Sequence, residues 1–324
     1  MSRLADPRAW FRPWMAPWIL GAAVFLLVAS TASQYGLTWD EPQYFHASDL
    51  HLQWLNDLWK NLLKGEVQKS LQPDVIGAAW HWQPYLVPHP PFSRIVSGLT
   101  GVIFSPVMDK FVAYRLSTAL FFGLLVAVMY LWMAALFDCL SGLFAALALL
   151  LLPNLFGYSH FALTDVPLTT LWLLTVYCFY KGLTGWKWSL ILGVVWGLAL
   201  ATKFPAFLIP IPLLLWAHLF RRRFYHNNVF SMVFVSPLVL VACQPYWWHR
   251  TLPRLAEFLY DSTSRGFRPE TDFPIFFNNQ VLATSELPRY YPFFMTAVTI
   301  PETILGFSLI GLIAIFWTKP QRDV

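Results

Sequence analysis

Apolar runs of 16 or more residues recur along this chain, each approaching the ~20 residues that a helix needs to cross a membrane. The clear ones cover residues 14–33, 114–137, 139–157, 166–182, 188–203, 205–220, 229–244 and 291–317. A membrane β-barrel would show alternating stretches of about ten residues, and these runs do not alternate. Only 12% of residues are charged, against about 25% in an average soluble domain. With a mean hydropathy of +0.51, that scarcity excludes a soluble globular protein and a disordered chain. The expected class is an all-α polytopic membrane protein, one domain over residues 1–324, with eight crossings. A ninth run, 92–108, follows Pro90-Pro91 and contains Arg94 and Pro106, so it reads as a juxtamembrane or re-entrant helix.

Positive charge collects on the cytoplasmic side of membrane proteins. With the N-terminus inside, eight crossings put ten bases against three acids inside, and twelve against fourteen outside. The short loop carrying Arg221, Arg222 and Arg223 decides this orientation. The first run is too long for the ~7–15-residue core of a signal peptide and reads as a retained helix. Two long outer loops follow, at 34–113 and 245–290, rich in aromatic residues and proline. Loops longer than ~12–15 residues are usually functional or disordered, and these are not low-complexity sequence. Within the first, residues 46–65 place Leu50, Trp54, Leu58 and Leu62 at four-residue steps. That pattern predicts an amphipathic helix flat on the membrane surface, ended by Gly65. Cys139, Cys178 and Cys243 show neither a disulfide framework nor a metal pattern.

Several residues stand out as candidates for chemistry. Asp40-Glu41 lies just beyond the first helix. Adjacent carboxylates raise one another's pKa and suit a general base or a metal ligand; the plainer reading is a solvated turn with Pro42 opening a helix. Asp165, an acid in apolar sequence, is either functional or, with Thr164, the cap of the next helix. Lys203 is the only charge in 188–216, placed either to snorkel to the surface or to hold a lipid phosphate. His89, Arg250 and Arg289 fall on the outer side near proline-rich aromatic turns, where each alone reads first as an interface anchor. No Walker loop, GxGxxG, HExxH or GxSxG occurs, so neither a nucleotide cofactor nor an energised pump is expected. No nucleic-acid partner is expected either.

In order along the chain stand a short basic N-terminus, one helix, DE, HPPF, YRLSTALFFGLLVAV, LTDVPLTTLW, GLALATKFPAF, PYWWHR and LPRYYPFFMTAVTIPETIL. This order resembles the C-type integral-membrane glycosyltransferases (GT-C), in the branch shared by protein O-mannosyltransferases and the lipid A aminoarabinose transferase. The resemblance spans roughly residues 10–317. It implies a hexosyl- or pentosyltransferase in a bacterial-type plasma (inner) membrane. Such an enzyme moves a sugar from a polyprenyl-phosphate donor to a lipid, glycan or protein acceptor on the extracytoplasmic face. By that likeness Asp40 is the catalytic base, Glu41 its partner and Asp165 the second acid. Lys203 and His89 contact the donor phosphate, with Arg250 and Arg289 as further phosphate candidates. Tyr44 and His160 are further substrate-binding candidates. Asp40 and Asp165 are the candidate pair for a divalent cation. A single displacement with inversion is expected, since no second nucleophilic acid is well placed. The aminoarabinose branch has an Arg where Gln43 stands, and relatives usually continue for several more helices, so the chain reads as a compact member or a piece of one. Two alternatives are a polyprenyl-lipid transporter, disfavoured by the nearly uncharged helix centres, and a non-catalytic lipid-binding relative.

Overall fold

The computed structural model describes residues 15–81, 89–220, 225–264 and 274–317. Apart from one hairpin, its regular elements are helical. Helix starts follow local chemistry. Pro17 sits in the first turn of α1 (Ala16–Thr31) and Pro42 in that of α2 (Glu41–Leu63), where a missing N–H costs nothing. α3 (Pro73–Trp80) and α4 (Phe92–Phe104) follow, α4 directly after Pro90-Pro91. The longest helix, α5 (Lys110–Leu136), opens on Asp109, whose carboxylate accepts from the Phe111 and Val112 N–H groups at 2.9 and 3.3 Å. Asp138 caps α6 (Cys139–Leu150) in the same way. Then come α7 (Pro153–Tyr158), α8 (Asp165–Gly182), α9 (Trp186–Leu200) and α10 (Pro210–Phe220). α11 (His226–Phe230) continues through a π turn at Ser231–Val235 into α12 (Ser236–Cys243). The wider turn falls just before Pro237, which cannot donate to the preceding turn.

α5 is the central post. α1, α4, α6 and α8 all pack on it. α1 crosses it at two glycines: a Cβ on Gly123 would lie 2.5 Å from the Gly21 carbonyl oxygen, and one on Gly21 would lie 2.7 Å from that of Gly123. The two backbones touch, as small residues allow between membrane helices.

Among the described residues, three stretches are long and apolar enough to cross a membrane: Ala16–Gln34, Lys110–Leu136 and His226–Cys243. The expected single crossing over 291–317 is instead two helices, α14 (Tyr291–Thr299) and α15 (Glu302–Trp317), bent by 113° at a break that contains Pro301. Counted as one span, that pair makes a fourth. Of the other expected crossings, 139–157 is broken at Pro153 and 205–220 at Pro210; 188–203 gives the 15-residue α9, and 166–182 lies whole within the 18-residue α8, which is not among the three. The 92–108 run forms α4, a single short helix. The triplet 221–223 lies outside the described residues.

The amphipathic helix expected at 46–65 is the larger part of α2, and Gly65 follows it with a φ of +72°. Part of its apolar stripe is covered by protein, while Leu62 stays exposed. Trp54, with Leu58 beside it, packs on Ile76 and Trp80 of α3. The second long loop holds α13 (Thr251–Ser264) and a two-stranded antiparallel hairpin, β1 (Pro274–Phe277) with β2 (Gln280–Ala283). Its Asn278-Asn279 turn has both φ values positive, at 50° and 60°, the pattern that matches strand twist.

Because the α1–α5 crossing has no room for a side chain, Gly123→Leu is expected to destabilise the protein by about 1–3 kcal/mol or more. Thermal unfolding in detergent should show a lower Tm, with Gly36→Ala, whose Cβ would meet nothing, as the unaffected control.

Candidate active site

Four chain segments converge near the start of α5 around one buried ion pair. Glu41, in the first turn of α2, is fully buried and Arg115 is 3% exposed. Arg115 Nε donates to Glu41 Oε1 at 2.8 Å and Nη2 to Oε2 at 2.7 Å, a two-pronged charge-assisted contact. The other guanidinium hydrogens go to carbonyls beyond the end of α1: Ala32 at 2.9 Å, Tyr35 at 2.8 Å and Gly36 at 2.7 Å. All five donors of the side chain are thereby used. Glu41 also accepts from the Thr38 N–H at 3.1 Å and the Ala162 N–H at 3.0 Å. Its two oxygens are fully occupied by the protein.

Asp40, one residue earlier, is the opposite case. It is exposed, and its carboxylate makes no cap bond to the helix it precedes. Asp165 stands in the first turn of α8, after Thr164. Its Oδ1 accepts from Lys203 Nζ at 2.8 Å, with the two side chains 49% and 23% exposed. A backbone bond holds this pair near α4: the Phe92 N–H donates to the Ala201 carbonyl at 2.9 Å. Tyr44 lies one turn beyond Asp40, with the Thr164 hydroxyl alongside. Burial pushes its phenol up to about 12, with Arg94 opposing the shift and Asp40 and Asp165 adding to it. The phenol is therefore a donor at neutral pH. Those influences also show that Asp40, Tyr44, Arg94 and Asp165 share one neighbourhood.

Arg94 was not among the expected site residues. It is 7% exposed, its guanidinium carbon is 5.9 Å from the Tyr44 ring centroid, and it donates to the His89 carbonyl. Its Nε has no partner, and among the described residues no carboxylate pairs with it. Burial pulls its pKa down to about 10, so the cation persists at neutral pH. An uncompensated buried cation costs several kcal/mol, a cost that an incoming anion would relieve. The signal was in the sequence: Arg94 is the one charge in the otherwise apolar run 92–108.

The remaining candidates divide. His89 lends its carbonyl to Arg94. His160 is buried with both ring nitrogens engaged, Nδ1 with the Phe156 carbonyl at 2.8 Å and Nε2 with the Thr31 hydroxyl at 2.9 Å. Its ring stacks on Tyr35 at 4.2 Å, so it fastens α1 to the segment before α8. Arg250, with a φ of 63°, and Arg289 are both exposed, and neither pairs with Asp40, Asp165 or another described carboxylate. Among the described residues no three His, Cys, Asp or Glu side chains gather as a metal set. The charged partner of Asp165 is an ammonium.

The model of the dolichyl-phosphate-mannose-protein mannosyltransferase family matches residues 88–249, half of the chain. The matched stretch includes His89, Arg94, Arg115, Asp165 and Lys203; Asp40 and Glu41 precede it. No curated protein and no solved structure matches the chain significantly.

Removing one partner of a buried ion pair strands the other. Glu41→Gln is therefore expected to lower stability by about 3–5 kcal/mol, read as an earlier thermal transition in detergent. Asp40→Asn, at an exposed and unbonded carboxylate, should leave that transition unchanged.

Proposed function

This chain belongs to the dolichyl-phosphate-mannose-protein mannosyltransferase family, and from that membership we propose how its outer site transfers a sugar. The family makes it a membrane glycosyltransferase. The donor in this reading is a polyprenyl-phosphate sugar and the acceptor a hydroxyl on a lipid, glycan or protein at the extracytoplasmic face. The observation that carries the reading is the contrast at Asp40-Glu41: one carboxylate saturated by Arg115, its neighbour exposed and without a cap bond, in the surroundings of Tyr44 that Arg94 and Asp165 also share.

Each group then has one task. Arg94 and Lys203 meet the donor phosphate, whose negative charge grows as the bond to the anomeric carbon breaks. Asp165 holds the Lys203 ammonium in place, and Tyr44 and His89 hold Arg94. Asp40 accepts the proton of the acceptor hydroxyl as its oxygen bonds to the anomeric carbon. Polyprenyl phosphate leaves from the opposite face, so the configuration inverts. Glu41 does not meet substrate; with Arg115 it fixes the backbone from which Asp40 projects.

Proton transfer by a positioned base is typically worth about 10²–10⁴-fold. Asp40→Asn is expected to lose that factor in kcat while still binding donor lipid; unchanged turnover would remove Asp40 from the mechanism. Product stereochemistry by NMR tests the inversion.

In the proposed eight-crossing arrangement the site lies outside and Cys139 inside. α5 separates them, its 27 residues spanning about 40 Å at 1.5 Å per residue. In intact cells a membrane-impermeant maleimide should label Gly36→Cys and leave the exposed native Cys139 unlabelled. The reverse pattern would place the site in the cytoplasm.

A further inference from the structure

A second set of polar groups lies beside Arg94, and the reaction above makes no use of it. His51, on α2, is 1% exposed. Its Nδ1–H donates to the Ala79 carbonyl at 2.9 Å, which leaves the lone pair on Nε2. The imidazole stacks on the Trp80 indole, with 4.2 Å between centroids and 10° between planes. Trp54 braces Trp80 edge-on, and its own indole N–H donates to the Ser70 carbonyl at 3.1 Å. The imidazole is thus locked in orientation. Yet His51 Nε2 accepts from nothing, and Trp80 Nε1, like Arg94 Nε, donates to nothing, although all three atoms are enclosed. Buried polar atoms without a partner are about a tenth of the total or fewer; of the ten such side-chain atoms among the described residues, two sit on the stacked His51 and Trp80, and a third belongs to Arg94, whose charge reaches the imidazole. Burial, with the Arg94 charge adding to it, holds the imidazole neutral, so Nε2 stays an acceptor.

We propose that this corner between α2, α3 and α4 is a hydroxyl-binding subsite that reads the sugar of the donor; the inference rests on the transferase reading above. The chemistry selects the ligand class. The His51 lone pair needs a hydrogen-bond donor, while the two N–H groups need acceptors. A phosphate or carboxylate would satisfy the N–H groups but turn its own lone pairs on His51. An alkyl or aromatic group satisfies none of the three. A hydroxyl both donates and accepts, and a sugar ring carries several at fixed spacing. His51 and Trp80 are then specificity residues, whereas Arg94 also serves the phosphate.

The test measures binding to the full-length protein in nanodiscs, by calorimetry, for undecaprenyl phosphate and for its mannosyl, glucosyl and galactosyl derivatives. At least one sugar-bearing lipid should bind about tenfold more tightly than the bare lipid. His51→Phe keeps the ring stack but removes Nε2, and Trp80→Phe removes Nε1. Each should shrink that gap to about twofold while leaving affinity for bare undecaprenyl phosphate unchanged. His51→Gln, which restores an acceptor, should recover part of it. A gap that survives both phenylalanine variants overturns the subsite. So does a wild-type protein that shows no gap, which means the corner holds only water, or variants that lose the bare lipid as well. Failure of the wild type to bind undecaprenyl phosphate at all would sink the donor reading itself, and the subsite with it.

Discussion

The end of the helical bundle where α5 begins depends on the ion pair between Glu41 and Arg115. Where α1 ends, the chain must turn back toward α2, and the carbonyls of Ala32, Tyr35 and Gly36 lose their helical partners. Arg115 supplies donors to all three and to Glu41. Neither ion would be tolerable there alone, since a lone buried charge costs several kcal/mol. Together they tie the end of α1, the start of α2, the shaft of α5 and, through the Ala162 N–H, the approach to α8.

That knot explains how two adjacent acids acquire different characters. Glu41 turns inward and its oxygens are consumed. Asp40 precedes it on the same anchored backbone and keeps its oxygens for the outside. A similar division separates the two nearby cations. Lys203 is already matched to Asp165, so its charge is partly spent before any ligand arrives. Arg94 has no such match, and of the two it gains more from a bound phosphate.

Much of this was legible in the sequence because apolar periodicity and charge scarcity report directly on lipid burial. The helical class, the helix after Pro42 and the helix opening at Asp165 follow from run lengths and proline placement, although neither Asp40 nor Thr164 makes a side-chain cap bond. Asp165 and Lys203 are visible as charges in apolar sequence and Asp40 as one of two adjacent acids, whereas Tyr44 follows only from the family resemblance. Long-range pairing was not legible. Nothing local to Glu41 announces a partner 74 positions away, and nothing local to Arg94 says that it lacks one. The protein cover of Trp54 and Leu58 is illegible for a related reason: periodicity shows that a face is buried, not whether lipid or protein covers it. Arg250 and Arg289 rest on sequence neighbourhood, which carries no information about contacts across a bundle.

The two attachments of α1 to α5 have a mechanical consequence. One is the glycine crossing, where backbones meet without side chains between them; the other is the Arg115 clasp near the top. A rod pinned to its neighbour at two separated points can neither pivot nor slide along it. The loop that bears Asp40 is therefore a fixed anvil. Any displacement of that end of the bundle falls to elements other than α1, and the position of Asp40 relative to α5 stays constant through it.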